Sequence, residues 1–193
     1  MDIDFIILHG SPGNGKTTLS RKLHEHFESP YFEFGWIPEF RTLNPSMKNS
    51  QKDEEQLSFE NLILVSMNYN KHGYKNVILT DLDDVRMLDI PQIFSEFNYV
   101  ILTLYVDNDE IIKNRILTRS NGNSFKDWKQ SIKINTLIKQ RNKLPNEYRI
   151  LNSRDDSDIT LKEILGILEN HVPCTSNNIS QLTRGDFFSY IDG

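Results

Sequence analysis

GSPGNGKT, residues 10–17, is the stretch that decides the fold of this 193-residue chain. It fits the pattern G-x-x-x-x-G-K-[ST] in full, and that pattern marks a loop that cradles the phosphates of a nucleotide. Glycine allows backbone angles that other residues avoid, so successive N–H groups can turn towards phosphate oxygens. The stretch therefore predicts a phosphate-binding loop between a buried strand and a helix.

The flanking residues supply the context that this loop requires. Ile3 to His9 is a nearly continuous apolar run, which is typical of a strand buried on both faces. Lys16 to Phe27 then places Leu19, Leu23 and Phe27 four residues apart, which predicts an amphipathic helix. The positive end of that helix dipole would face the bound phosphates.

The loop predicts specific contacts with a nucleoside triphosphate and its metal ion. The Lys16 ammonium would reach the β- and γ-phosphates, and the Thr17 hydroxyl would ligate magnesium. The residues that we expect to contact the nucleotide phosphates are Gly10, Ser11, Pro12, Gly13, Asn14, Gly15, Lys16, Thr17 and Thr18.

Composition restricts the classes of protein that remain. The formal net charge of -5 argues against a nucleic-acid partner, which usually meets a basic face. The single cysteine, Cys174, excludes an internal disulfide and favours a reducing compartment. No apolar run approaches the roughly 20 residues of a membrane span, and the first residues do not resemble a signal peptide. We expect a cytoplasmic protein without a membrane partner.

Apolar runs and amphipathic stretches alternate along the chain, which predicts a mostly parallel sheet with helices on both faces. We expect one domain over residues 1–172 and a tail, residues 173–193, that packs on it or is flexible. Within the domain, residues 54–72 predict a helix. Its expected apolar face includes Leu57, Leu62, Val65 and Tyr69.

Acidic residues follow the third predicted strand. Asp81 lies at its carboxyl end, where parallel sheets open towards their ligands, and could hold a magnesium water beside Thr17. Asp83 would take this role if the strand ended later. Asp84 is expected to be a solvated helix cap.

Two arginines stand late in the fourth predicted helix. Arg115 and Arg119 are four residues apart, hence on one helix face, and the polar stretch Ser120 to Ser124 follows them. We expect a small helical lid over residues 115–128, in which both guanidinium groups close over the polyphosphate. A solvated helix face is the alternative.

These motifs together resemble the adenylate-kinase-like small kinases, which include shikimate, gluconate and nucleotide kinases. Residues 30–45, PYFEFGWIPEFRTLNP, are similar to the chloramphenicol phosphotransferase type, in which a strand runs into F-G-x-D. The resemblance implies a three-layer α/β fold with a five-stranded parallel sheet in the order 2-3-1-4-5. It also implies ATP with magnesium, a small-molecule acceptor, and contact between residues 152–154 and adenine.

The chain departs from this pattern at one position. Ile37 stands where F-G-x-D would place a catalytic aspartate. A general base must reach the acceptor hydroxyl, so Glu33, Glu39 and Asp81 are the candidates. Glu39 could instead pair with Arg41 on a surface turn.

The resulting hypothesis is an ATP- and magnesium-dependent phosphotransferase for a small hydroxyl- or phosphate-bearing acceptor. Its predicted catalytic residues are Lys16, Glu33, Glu39, Asp81 and Arg119. One alternative is a polynucleotide 5′-hydroxyl kinase, which would need a basic groove. The other is a nucleotide-gated binding protein without an acceptor. The acceptor, the preference between ATP and GTP and the oligomeric state stay open.

Overall fold

A computed structural model describes residues 2–38, 40, 46, 50–119 and 126–174. Within these residues it contains a five-stranded parallel sheet in the order β2-β3-β1-β4-β5. The strands are β1 (Phe5–His9), β2 (Tyr31–Glu33), β3 (Val77–Thr80), β4 (Tyr99–Tyr105) and β5 (Glu147–Leu151). The predicted three-layer α/β fold and its strand order are confirmed.

Helices follow most strands in the described ranges and cover both faces of the sheet. They are α1 (Lys16–Phe27), α2 (Gln51–Lys71), α3 (Asp84–Met87), α4 (Ile90–Ile93), α5 (Asp109–Thr118), α6 (Trp128–Gln140) and α7 (Ser157–Glu169), with a 3₁₀ turn at Phe34–Trp36. No helix among the residues described is long and apolar enough to cross a membrane. Cys174 is exposed and not bonded to another cysteine.

The central strand β1 joins two separate apolar clusters. Phe5 and Ile7 belong to the cluster on the α2 side of the sheet. Ile6 and Leu8 belong to the cluster that contains residues of α1 and α7. Because side chains alternate between the faces of a strand, β1 must be apolar at every one of these positions. The apolar run at the N-terminus is thus the middle of the core.

The helix α2 differs from its prediction in the face that it buries. Of the four residues predicted for the apolar face, only Leu62 is buried, while Leu57 is 46% and Tyr69 39% exposed. The helix buries Phe59 and Ile63 with Leu62. Small serines at Ser58 and Ser66 also lie on the buried face, and apolar periodicity alone does not reveal them.

The start of α2 also lies earlier than predicted. Ser50 accepts a hydrogen bond from the backbone N–H of Asp53, and the Asp53 carboxylate accepts the Ser50 backbone N–H at 2.8 Å. This capping box satisfies two N–H groups that the helix itself cannot pair. It places the first helical residue at Gln51 rather than Glu54.

A buried ion pair ties the end of α6 to β5. Arg141 donates two 2.7 Å hydrogen bonds to the Glu147 carboxylate, which also accepts the Thr103 hydroxyl at 2.6 Å. Burial raises the pKa of Glu147, but Arg141, Thr103 and the backbone N–H of Leu144 outweigh burial and hold this pKa below its ordinary value. The carboxylate therefore stays ionised inside the protein.

We predict that Glu147→Gln lowers the free energy of unfolding by about 3 kcal/mol, because it leaves the buried Arg141 charge uncompensated. Denaturant unfolding at neutral pH measures this loss. A carboxyl whose pKa falls on folding stabilises the protein above its unfolded-state pKa and loses that effect as pH falls through the folded value. The difference between wild type and variant should therefore shrink as pH drops below 4.5, the ordinary value of this carboxyl.

The control is Glu163→Gln, which removes an exposed carboxylate from α7. It should change the unfolding free energy by less than about 0.5 kcal/mol. An equal loss in both variants would contradict the importance of the buried pair.

Candidate nucleotide and acceptor site

The loop between β1 and α1 has the backbone conformation that its glycines predict. Gly10, Gly13 and Gly15 have φ angles of 144°, 87° and 89°, which side chains disfavour. Gly15 is the residue before α1, and no side chain among the described residues caps this helix start. The first N–H groups of α1 are consequently available to phosphate oxygens.

Neighbouring strands press closely against the loop. A Cβ on Gly10 would lie 2.6 Å from the Leu104 carbonyl oxygen, and one on Gly15 would lie 2.6 Å from Asn152 Nδ2. These glycines are needed for space as well as for their backbone angles. The ends of β4 and β5 thereby determine the position of the loop.

The side-chain amides of three buried asparagines form a hydrogen-bond network that holds the loop in place. Asn14 donates to the Leu104 carbonyl at 2.8 Å and to Asn135 of α6 at 3.2 Å. Asn152, after β5, donates to the Asn14 carbonyl at 2.8 Å and accepts the Thr160 hydroxyl at 2.8 Å. Asn14 thus has a structural role within the loop, which the motif alone does not reveal.

Lys16 is held inside the loop. Its Nζ donates to the Gly10 carbonyl at 2.8 Å and lies 3.4 Å from the Asp81 carboxylate. Burial lowers the pKa of Lys16, and Asp81 acts in the opposite direction without cancelling the effect. The ammonium group is therefore poorly solvated, and an incoming phosphate would replace its missing water.

Asp81 lies at the end of β3, as predicted. Its φ of 67° is unusual for a residue other than glycine, and its side chain is 49% exposed. Strained backbone of this kind is common at functional sites. The structure brings Asp81 and Lys16 together, and the carboxylate remains accessible from solvent.

The predicted magnesium ligands fit a metal that takes few protein ligands. Magnesium commonly binds one or two protein oxygens, several waters and substrate phosphates. Thr17 is the second residue of α1, and Asp81 contacts the lysine one residue before it. No group of three or more His, Cys, Asp or Glu residues in the described ranges forms a metal cluster. The donor set suits magnesium held jointly with a nucleotide.

The two arginines predicted to close over the polyphosphate have different surroundings. Arg119 is near enough to Lys16 for its positive charge to lower the pKa of that lysine. Arg115 instead donates to the carbonyls of Asn152 at 2.8 Å and Arg154 at 2.9 Å. Arg115 therefore holds the loop after β5, whereas Arg119 lies within electrostatic reach of Lys16. Residues 120–125 of the predicted lid lie outside the described ranges.

Among the described candidate carboxylates other than Asp81, Glu33 and Asp83 have structural partners instead of a contact with Lys16. Glu33 accepts the Tyr31 hydroxyl, and Tyr31 packs in the cluster on the α1 side. Glu39 lies outside the described residues. Asp83 caps α3 by accepting the backbone N–H of Arg86 at 2.8 Å, so its carboxylate already has a structural task.

The prediction for Asp84, a solvated helix cap, is wrong. Its side chain is only 13% exposed, and its Oδ1 lies 2.7 Å from His9 Nε2. Burial raises the pKa of Asp84, but His9, Arg141 and Lys16 together hold it below the ordinary value. His9 is buried, as a strand-end residue should be, and its acidic contact could not be read from spacing.

Comparison with known proteins agrees with this geometry. Residues 3–74, less than half of the chain, match the family model of chloramphenicol phosphotransferase-like proteins. A sugar kinase from a Janibacter species superposes with a TM-score of 0.61 at 15% identity, covering 86% of this chain and 95% of its own. The chain has the fold of the P-loop small-molecule kinases.

Two further P-loop kinases of known structure share the fold. The shikimate kinase of Acinetobacter baumannii, in complex with shikimate, has a TM-score of 0.53 at 18% identity, with 88% of this chain and 96% of that chain covered. The gluconokinase of Sinorhizobium meliloti has a TM-score of 0.53 at 10% identity, with 87% and 98% covered. No curated protein matches the sequence significantly. The comparisons support the predicted kinase class.

We predict that Gly15→Ala destabilises the protein by at least about 1–2 kcal/mol, since alanine is strained at positive φ and its Cβ would collide with Asn152. Denaturant unfolding measures this change. Gly35→Ala is the matched control, because a Cβ there meets no atom within 4 Å. Equal stability of the two variants would show that the loop is not pressed against Asn152.

Proposed function

We propose that this protein is an ATP- and magnesium-dependent phosphotransferase acting on a small hydroxyl- or phosphate-bearing acceptor. The observation that carries the proposal is the Lys16 ammonium, buried in a glycine-rich loop and 3.4 Å from an exposed carboxylate at the strand ends. Phosphoryl transfer depends on positioning and on neutralising phosphate charge. This site offers backbone N–H groups, a poorly solvated cation and a carboxylate for a metal.

Each residue would have a distinct role. Lys16 would bind the β- and γ-phosphates, Thr17 and Asp81 would hold magnesium, and Arg119 would neutralise charge on the transferring group. When bound, magnesium would neutralise charge on the phosphate oxygens. Arg115 would act on the nucleotide through the loop after β5, which it holds in place.

The similar proteins suggest what the acceptor could be. They include a sugar kinase, a shikimate kinase and a gluconokinase, and the matching family is that of chloramphenicol phosphotransferase-like proteins. Sugars, shikimate, gluconate and chloramphenicol are all small molecules with free hydroxyl groups. We propose an acceptor of this class, used in the cytoplasm, where the lone cysteine would stay reduced.

One observation favours a second function. Ile37 occupies the position at which the resembling family has its aspartate, and it packs against the α2-side cluster. A protein without a general base could bind ATP and change conformation without transferring phosphate. Such a protein would bind nucleotide normally and show no acceptor-dependent turnover.

We expect Lys16→Met to abolish transfer from radiolabelled ATP to the acceptor, because the β- and γ-phosphates lose their cation. The test panel contains gluconate, shikimate, glucose, adenosine, AMP and chloramphenicol, each with magnesium. Lys22→Met is the control, since this lysine of α1 pairs with Asp158 away from the loop. Transfer by Lys16→Met at the wild-type rate would refute the role of Lys16.

The panel also separates the two proposed functions. Magnesium-dependent transfer by wild type to any member supports the phosphotransferase. ATP binding measured by calorimetry, without transfer to any member, would overturn that proposal in favour of the nucleotide-gated binding protein.

We expect Arg119→Gln to lower kcat by about 100-fold or more while ATP affinity changes little, because charge on the transferring group develops in the transition state. Steady-state kinetics and calorimetry measure the two effects. Lys113→Gln, on the helix α5 that ends just before Arg119, is the control, since Lys113 pairs with Glu110 at the surface. A uniform rise in KM with unchanged kcat would assign Arg119 to ground-state binding only.

A further inference from the structure

The pair formed by His9 and Asp84 has no part in the phosphate loop described above. His9 ends β1 and is 2% exposed, and its Nε2 lies 2.7 Å from Asp84 Oδ1. Both ring nitrogens are buried, and neither makes a hydrogen bond of good geometry to a residue in the described ranges. The pair is therefore enclosed but incompletely satisfied.

Stability alone gives little reason to keep such a pair. Burying ionisable groups costs free energy, and apolar side chains of similar size often serve a core equally well. Incompletely satisfied buried groups are common where a ligand supplies the missing partner. His9 and Asp84 are therefore candidates for a role in the reaction.

The position of the pair suggests what it would face. His9 lies on the same face of β1 as Phe5 and Ile7, which belong to the α2-side cluster. Phe34 and Ile37 belong to residues 30–45, the stretch similar to the chloramphenicol phosphotransferase type, and pack against this same cluster. Asp84 also lies near enough to Lys16 to affect its pKa. Through its contact with His9, Asp84 lies on the side of the sheet that also holds the acceptor-side residues Phe34 and Ile37.

Two of the carboxylates predicted as the general base, Glu33 and Asp81, are less suited to the acceptor hydroxyl. Phe32 packs against the α2-side cluster, and Glu33, the next residue of β2, therefore projects towards α1. There it accepts the Tyr31 hydroxyl. Asp81 contacts Lys16 and is the proposed magnesium ligand. Ile37, which stands where the family pattern has an aspartate, packs on the same face of the sheet as Asp84.

We propose that Asp84 is the general base for the acceptor hydroxyl and that His9 is the residue that positions it. This inference rests on the proposed phosphotransferase function. The acceptor oxygen forms a bond to the γ-phosphorus while the bond from that phosphorus to the bridging oxygen breaks. The electron pair of the broken bond leaves with ADP, and the hydroxyl proton passes to the Asp84 carboxylate. His9 contacts one carboxylate oxygen and leaves the other for the acceptor.

The decisive experiment compares Asp84→Asn with wild type, using radiolabelled ATP and the acceptor panel named above. Asparagine keeps the shape of the side chain but cannot accept the proton. We expect kcat to fall by about 100-fold or more, the usual contribution of a general base, while ATP affinity stays within threefold.

Glu55→Gln is the matched control. Glu55 lies on α2, near Arg86 at 3.6 Å, and removing its charge alters the same side of the sheet without touching His9. Its kcat should stay within twofold of wild type. An equal fall in both variants would attribute the effect to local charge and overturn the role of Asp84.

His9 is tested by its conservative replacement. His9→Gln retains a side-chain N–H for Asp84 and should keep kcat within tenfold of wild type, whereas His9→Leu should fall as far as Asp84→Asn. Circular dichroism and ATP affinity check that His9→Leu is folded. Equal kinetics of His9→Gln and His9→Leu would overturn the positioning role even if the leucine variant is unstable.

The outcomes distinguish this inference from the function on which it rests. If wild type transfers phosphate and Asp84→Asn does so within threefold, only the role of Asp84 is refuted. If wild type binds ATP and transfers phosphate to no acceptor, the phosphotransferase itself is refuted, and the general base with it.

Discussion

The burial of the Lys16 ammonium group is the constraint on which the rest of the site depends. A cation removed from water needs nearby oxygen atoms, and the Gly10 carbonyl and the Asp81 carboxylate supply them. The carbonyl can face the ammonium only because the loop curls through glycines at positive φ. Asp81 can do so only because β3 lies beside β1 in the sheet.

That requirement extends into the surrounding layers. The loop packs on the ends of β4 and β5, and Asn14, Asn135 and Asn152 replace the strand partners that those ends lack. Asn135 belongs to α6, so α6 and the phosphate loop share one buried hydrogen-bond network. A movement of α6 would therefore shift the hydrogen bonds that hold the phosphate loop.

Charge is distributed unevenly across the sheet. The α2 side has His9 and Asp84 at the carboxyl end of β1 and the Arg141–Glu147 pair at the start of β5, whereas Glu33 projects towards α1. A buried polar layer of this kind is costly unless each member is paired. Arg141 and Glu147 satisfy each other, and His9 with Asp84 remains the pair that a ligand could complete.

Much of the fold was determined by local sequence. The loop GSPGNGKT, the apolar run of β1 and the alternation of strands and helices predicted the α/β sheet, because phosphate loops and buried strands need particular residues at particular spacings. The place of Asp81 at the carboxyl end of β3 also followed from the sequence, whereas its contact with Lys16 did not. Tertiary structure alone decided that Glu33 and Asp84 lie on opposite faces, that Arg115 binds backbone carbonyls and that Asp84 meets His9. His9 and Asp84, for example, are 75 positions apart in the chain. No local sequence pattern encodes which distant side chain will contact a given residue.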